Sequence, residues 1–158
     1  MQRVPMTPKG HEALQQELQD LLSVQRPKVV REIEEALSHG DLSENSEYED
    51  AKHRQGMIEG RILEVKAKIG ASEIIDITKI DPSGRVIFGV TVEIEDQDTE
   101  ETSSYRIVGT DEADVKKGML SVTSPLARGL IGQEVGDEVS VTTPRGLRKF
   151  VIVDVAYR

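Results

Sequence analysis

The sequence predicts an α+β protein: an antiparallel coiled-coil hairpin over residues 1–75, with an acidic tip at residues 40–47, followed by a small α+β domain over residues 76–158. Three observations predict it. Apolar residues recur at helical spacing from Leu14 to Ala36. A cleaner series, Tyr48, Ala51, Gln55, Ile58, Ile62, Val65 and Ile69, alternates steps of three and four, which makes a heptad seam with one polar position. After Gly70 the period changes to that of short strands separated by turns.

Thr7-Pro8 reads as a helix start, a capping hydroxyl followed by Pro at the first helical position. Leu14, Leu18, Leu21, Leu22, Val29, Ile33 and Ala36 form the buried stripe of the first helix. Pro27 conflicts with it, because an interior Pro removes a hydrogen bond and crowds the preceding turn. The stripe resumes at once, so a kink near Ser23 is favoured over a break and restart at Pro27. Ser38-His39-Gly40 should end this helix, with Gly as the stop. The second helix has two candidate starts, Asp41 with Glu44 or Ser46 with Glu49, each a capping-box spacing. Gly56 and Gly60 are costly inside a helix, and close approach of the first helix would explain them.

In the second half, Ile74 to Ile77 reads as a strand and Asp81 to Gly84 as a turn. Val86 to Ile94 and Ser103 to Val108 read as strands joined by an acidic loop. Asp111 to Asp114 looks like one helical turn and Leu120 to Val122 like a short strand. Ser124-Pro125 opens a short helix through Leu130, and Val139 to Thr142 with Lys149 to Tyr157 forms a closing hairpin.

Composition excludes several functions. There is no Cys, hence no disulfide, thiol nucleophile or Cys-type zinc site. Aromatics are 3%, too few for a base-stacking platform or an aromatic-lined pocket. The net charge of −9 opposes broad attraction to nucleic acid while leaving room for a local basic strip. No apolar run is long enough to span a membrane and no signal-peptide core is present, so a cytoplasmic location is expected.

The candidate chemistry sits where the two helical patterns meet. From Glu32 to Ala51 the chain carries Glu32, Glu34, Glu35, Asp41, Glu44, Glu47, Glu49 and Asp50, with no Lys or Arg. Asp41 and Glu44 fit two readings: acids favoured by a helix N-terminus, or a pair of hard oxygen ligands that completes a magnesium site with groups from a partner. Leu42 between them is an apolar residue at a turn, as expected of a tip that docks. Arg54, Arg61 and Lys68 recur every seven residues beside the seam. They fit flanking salt bridges to acids of the first helix, or a track for a single nucleic-acid strand leading to the tip. His11, His39 and His53 show no ligand spacing and read as surface residues.

Gly40-Asp41-Leu42-Ser43-Glu44-Asn45-Ser46-Glu47-Tyr48 resembles the tip signature of the Gre transcript-cleavage factors of bacteria. Val4 to Gly10, Gly84 to Gly89, Tyr105 to Gly109 and Ser124 to Gly132 resemble that family too, in the right order and across essentially the whole chain. The resemblance implies a long antiparallel coiled coil and an FKBP-like C-terminal domain that binds bacterial RNA polymerase. It implies insertion of the hairpin through the polymerase secondary channel, where the polymerase cleaves backtracked nascent RNA and arrested complexes are rescued. Asp41 and Glu44 would then help hold the second magnesium and the attacking water. Ser124 and Pro125 match the polymerase-docking motif, with Thr123 standing where family members carry Asp or Asn. Arg54, and Arg61 on the same stripe, would contact RNA. On this reading the chain is a monomer and no enzyme itself, with no cofactor of its own and magnesium supplied by the polymerase.

Other readings fit less well. Nothing in the tip favours a channel-blocking inhibitor on the same scaffold. An isomerase would need an aromatic pocket, and the second domain has only Phe88, Tyr105, Phe150 and Tyr157. A free-standing nuclease would need more metal ligands than two acids.

Overall fold

The computed structural model describes residues 3–40 and 45–158. It is α+β, with an N-terminal helical hairpin and a C-terminal β-sheet domain. Two compact units divide it: His11–Ser72, and the residues up to Gly10 together with Glu73–Arg158.

Strand β1 (Val4–Met6) leads into helix α1 (Pro8–Asp20). The Thr7 hydroxyl accepts the Gly10 N–H at 3.1 Å and caps α1, as Thr7-Pro8 predicts. A π turn over Leu21–Gln25 joins α1 to α2 (Arg26–Leu37). This turn absorbs Pro27. The proline ring has no N–H and would crowd the Ser23 carbonyl four residues back. Widening the turn removes the conflict, and the Arg26 N–H reaches the Leu21 carbonyl, five residues back. The backbone stays right-handed helical on both flanks, so the helix does not break and restart at Pro27. Gly40, with φ of 101°, lies just beyond the end of α2, and its N–H donates to the Leu37 carbonyl.

Helix α3 (Ser46–Ala71) has 26 residues and, at about 1.5 Å each, a length of about 39 Å. Every seam position from Tyr48 to Ile69 is buried or half-buried, and so is every stripe position from Leu14 to Ala36. Ion pairs flank the seam. Arg61 grips Glu17 with two bonds of 2.5 and 2.7 Å, and Arg26 grips Glu59 at 2.8 and 2.7 Å. Arg54 donates to Glu32 at 2.5 Å, while Lys68 pairs with Glu64 on its own helix at 3.1 Å.

These pairs predict acid sensitivity. The Arg61 guanidinium holds the Glu17 carboxyl below its ordinary range, and Arg26 does the same to Glu59. Each carboxyl binds its proton more weakly folded than unfolded, so unfolding takes up protons. The stabilisation is complete above the ordinary Glu value of about 4.3 and is lost as pH falls through the lowered folded values. The melting temperature of the hairpin should therefore drop below about pH 4, and Arg61→Gln should flatten that dependence; circular dichroism melts across pH 2.5–7 measure both, roughly bracketing the Glu range.

Gly56 and Gly60 do not serve close approach of the first helix. A Cβ built on either meets nothing within 4 Å, and both residues are exposed. Gly56→Ala and Gly60→Ala should each stabilise the hairpin by about 1 kcal/mol, through helix propensity alone. Urea denaturation of each variant checks this.

In the second unit, β2 (Ser72–Ile74) pairs with β1, and the Ile75 N–H donates to the Met6 carbonyl at 2.9 Å. The strand expected over Ile74–Ile77 thus stops at Ile74, and Ile77–Lys79 turns as a 3-10 helix capped by Asp76. Strands β3 (Thr91–Asp96), β4 (Thr102–Val108), β5 (Met119–Ser121), β6 (Glu138–Thr143) and β7 (Gly146–Ala156) form a five-stranded sheet in the order β5-β4-β3-β7-β6. Within this sheet β4 and β5 run parallel and the other neighbouring strands antiparallel. β3 starts at Thr91 rather than at Val86. Gly89 takes φ of 93°, which interrupts an extended strand, and its N–H bonds instead to the Ile107 carbonyl at 2.9 Å.

Helix α4 (Pro125–Leu130) lies against β6, with Ala127 and Leu130 fully buried. They join Val86, Val90, Val92, Ile94, Ile107 and Ile152 in the core. Phe88, Tyr105, Phe150 and Tyr157 pack against this core.

One carboxylate fastens the N-terminal segment to this unit. Glu112 accepts the Thr7 hydroxyl through Oε1, and the N–H groups of Thr7 at 3.2 Å and Gly109 at 2.8 Å through Oε2. Thr7 is only 2% exposed. Gly109 is required there, since a Cβ would stand 2.6 Å from the Pro5 carbonyl oxygen.

Candidate functional site

Asp41 and Glu44, and with them Leu42 and Ser43, lie outside the described residues. What the structure describes is the pair of helix ends that flank them in the sequence. α2 ends at Leu37 and α3 begins at Ser46. Neither Asp41 nor Ser46 caps α3. The cap is Asn45, whose Oδ1 accepts the Tyr48 N–H at 3.1 Å. Its Nδ2 donates to the Ala36 carbonyl at 2.7 Å, so one amide joins the last turn of α2 to the first turn of α3. His39 Nδ1 lies 3.3 Å from Glu47 Oε2 and spans the same gap at the surface.

The electrostatics around these ends are negative. Glu32, Glu35, Glu47 and Asp50 line a shallow cleft with Ala36, and Arg54 is the cation on its wall. Among the described residues no group of three or more His, Asp or Glu side chains is arranged to hold a metal.

The basic stripe takes the salt-bridge form that its spacing allowed. Arg54 and Arg61 engage acids of the first helix, and Lys68 engages Glu64. Arg54 remains largely exposed beyond its contact with Glu32.

Ser124 and Pro125 sit at the start of α4. The Ser124 hydroxyl is committed to local structure: it donates to the Ser121 carbonyl at 2.7 Å and accepts the Ala127 N–H at 3.2 Å. The Thr123 and Ser121 hydroxyls pair at 2.8 Å. Ser124 thus builds the turn, and Pro125 is the exposed face of the motif. The sequence reading passed over Asn45 and Glu112. Asn ranks among the best N-caps, which was a usable local signal. Glu112 had none, because its partner Thr7 is 105 residues away.

Comparison with known proteins decides the family. A model described as transcription elongation factor, N-terminal, matches residues 4–74, and one described as transcription elongation factor, GreA/GreB, C-term, matches residues 81–157. The chain belongs to the GreA/GreB family of transcription elongation factors. Transcription elongation factor GreA of Psychrobacter cryohalolentis is 53% identical over 157 residues, covering 99% of each chain. GreA of Neisseria meningitidis serogroup A is 54% identical over 157 residues, again covering 99% of each. The crystal structure of GreA factor homolog 1 of Thermus thermophilus is 31% identical, covers 98% of this chain and 99% of its own, and superposes with a TM-score of 0.44. As a GreA/GreB protein the chain acts in bacterial transcription elongation. Among its described residues no helix is long and apolar enough to cross a membrane.

Proposed function

We propose that this chain binds RNA polymerase in the cytoplasm as a monomer and stimulates the polymerase's own cleavage of backtracked RNA. It supplies Asp41 and Glu44 in trans through the secondary channel. The observation that carries this reading is the clasp by Asn45 of the end of α2 to the start of α3, the two helix ends between which Asp41 and Glu44 fall in the sequence. Membership of the elongation-factor family supports it. The chain is then no enzyme by itself, and the nuclease is the polymerase.

The chemistry follows from charge. Carboxylates repel phosphate, so beside an RNA backbone they act only through a cation or on a water. Magnesium, when bound, stabilises the attacking and leaving oxygens of an in-line displacement. Asp41 and Glu44 would share in holding it and accept hydrogen bonds from the attacking water, which orients that water. The hairpin carries the pair to the reaction, and α4 presents Pro125 for docking, with Ser124 shaping its turn. Arg54, exposed beside the acidic cleft, would exchange its Glu32 partner for RNA phosphate, and Arg61 would extend that strip along the stem.

The test is direct. Core polymerase is passed over immobilised full chain, and halted, backtracked complexes are then given the factor and magnesium. Co-retention and release of a short 3′ RNA fragment are expected. Co-retention with no added cleavage would favour a channel blocker instead.

A further inference from the structure

We infer that Arg128 is a docking residue, whose guanidinium pairs with a carboxylate of the RNA polymerase beside Pro125. This rests on the function proposed above and adds a charged contact to its docking helix. Helix α4 has two faces. Ala127 and Leu130, three residues apart, are fully buried, and a Cβ on Gly129 would stand 3.0 Å from the Val139 side chain of β6, so the helix is seated closely on the sheet. Pro125 and Arg128, also three apart, share the other face, and both are exposed. The turn that carries them is closed by its own bonds. The Ser124 hydroxyl accepts the Ala127 N–H, and the Arg128 N–H donates to the Ser124 carbonyl at 3.0 Å. A partner therefore meets a backbone that is already ordered, which lowers the entropy cost of binding.

Arg26, Arg54, Arg61, Arg85 and Arg148 each hold a carboxylate of this chain. Among the described residues the Arg128 guanidinium has no ion-pair or hydrogen-bond partner, so its charge is available to another molecule. Carboxylate and phosphate both suit a guanidinium fork. Nucleic-acid binding draws on several cations together, and a net charge of −9 opposes it. One arginine beside an apolar ring instead matches the centre of a protein–protein contact, where Arg is enriched and neighbouring apolar area keeps water from the pair. The charge complement is an acidic side chain of the polymerase, held by two parallel N–H donors.

The experiment compares the full chain with Arg128→Ala, Arg128→Lys and Arg128→Glu. Binding is measured on core polymerase free of nucleic acid, and cleavage in halted, backtracked complexes. All three variants should melt with the parent, because the Arg128 side chain has no partner in the fold to lose. Arg128→Ala should raise the Kd for core polymerase about thirtyfold, as truncation of an interfacial hot-spot arginine does. The half-saturating factor concentration for cleavage should rise with it, while the maximal rate stays parental. Arg128→Lys keeps the charge and loses the fork, so it should recover part of the affinity, and Arg128→Glu should bind more weakly than Arg128→Ala. Added salt should narrow the gap between the parent and Arg128→Ala. A parental Kd in Arg128→Ala, with cleavage stimulation intact, would overturn the docking role and leave the proposed function standing. Affinity lost only in complexes that carry nucleic acid would make phosphate the partner and overturn the carboxylate pairing. Weaker binding accounted for by a lowered melting temperature would overturn it too. A parent chain that fails to bind core polymerase would overturn the proposed function, and the role of Arg128 with it.

Discussion

Asp41→Ala or Glu44→Ala should lower factor-stimulated RNA cleavage by about 100-fold, the scale on which metal-site partners act. Binding to polymerase should stay within about twofold, because the hairpin seam from Tyr48 to Ile69 and the α4 turn are built from other residues. The asymmetry between the two readouts is the informative part. Neither α2, which ends at Leu37, nor α3, which is capped by Asn45, needs Asp41 or Glu44 to form its end. The variants should therefore fold and melt like the parent, and any loss belongs to the reaction. The double variant should lose little more than either single one, as expected of groups that act as a unit. Single-turnover cleavage in halted complexes, beside a competition binding assay, measures both quantities.

Glu112→Ala should be the most damaging of the structural changes, at about 3 kcal/mol. It leaves the Thr7 hydroxyl, the Thr7 N–H and the Gly109 N–H without their acceptor, and Thr7 is buried. Glu112→Gln keeps an acceptor oxygen and should cost less. Amide hydrogen exchange gives the specific readout, since protection at Thr7 and Gly109 should collapse together while the β3–β7 ladder keeps its protection. Thr7→Val combined with Glu112→Ala should cost clearly less than the sum of the two, because the pair shares one interaction. Additive costs would show that the carboxylate does not tie Thr7 to the sheet domain.

Much of this architecture is legible because burial leaves a periodic trace. The seam from Tyr48 to Ile69 and the stripe from Leu14 to Ala36 are the buried faces of the hairpin, position by position. Thr7-Pro8 and Ser124-Pro125 start helices as their local chemistry dictates. The misses have different physical causes. The π turn before Pro27 depends on how a helix prefers to absorb a missing donor when its apolar face must stay in register. The late start of β3 depends on Gly89, whose φ no residue pattern reports. Gly56 and Gly60 invited a packing explanation, yet they face open space. The Asn45 clasp requires knowing that Ala36 lies opposite.

The claim at the centre is that the tip carboxylates work through a metal ion held jointly with the polymerase. The measurement that tests it is the magnesium dependence of cleavage in backtracked complexes, at saturating factor, for the parent and for Asp41→Asn, which keeps size and removes charge. The half-saturating magnesium concentration should rise at least about tenfold in the variant, with part of the rate recovered at high magnesium. A lowered rate with an unchanged magnesium dependence would contradict a metal-ligating role for the tip.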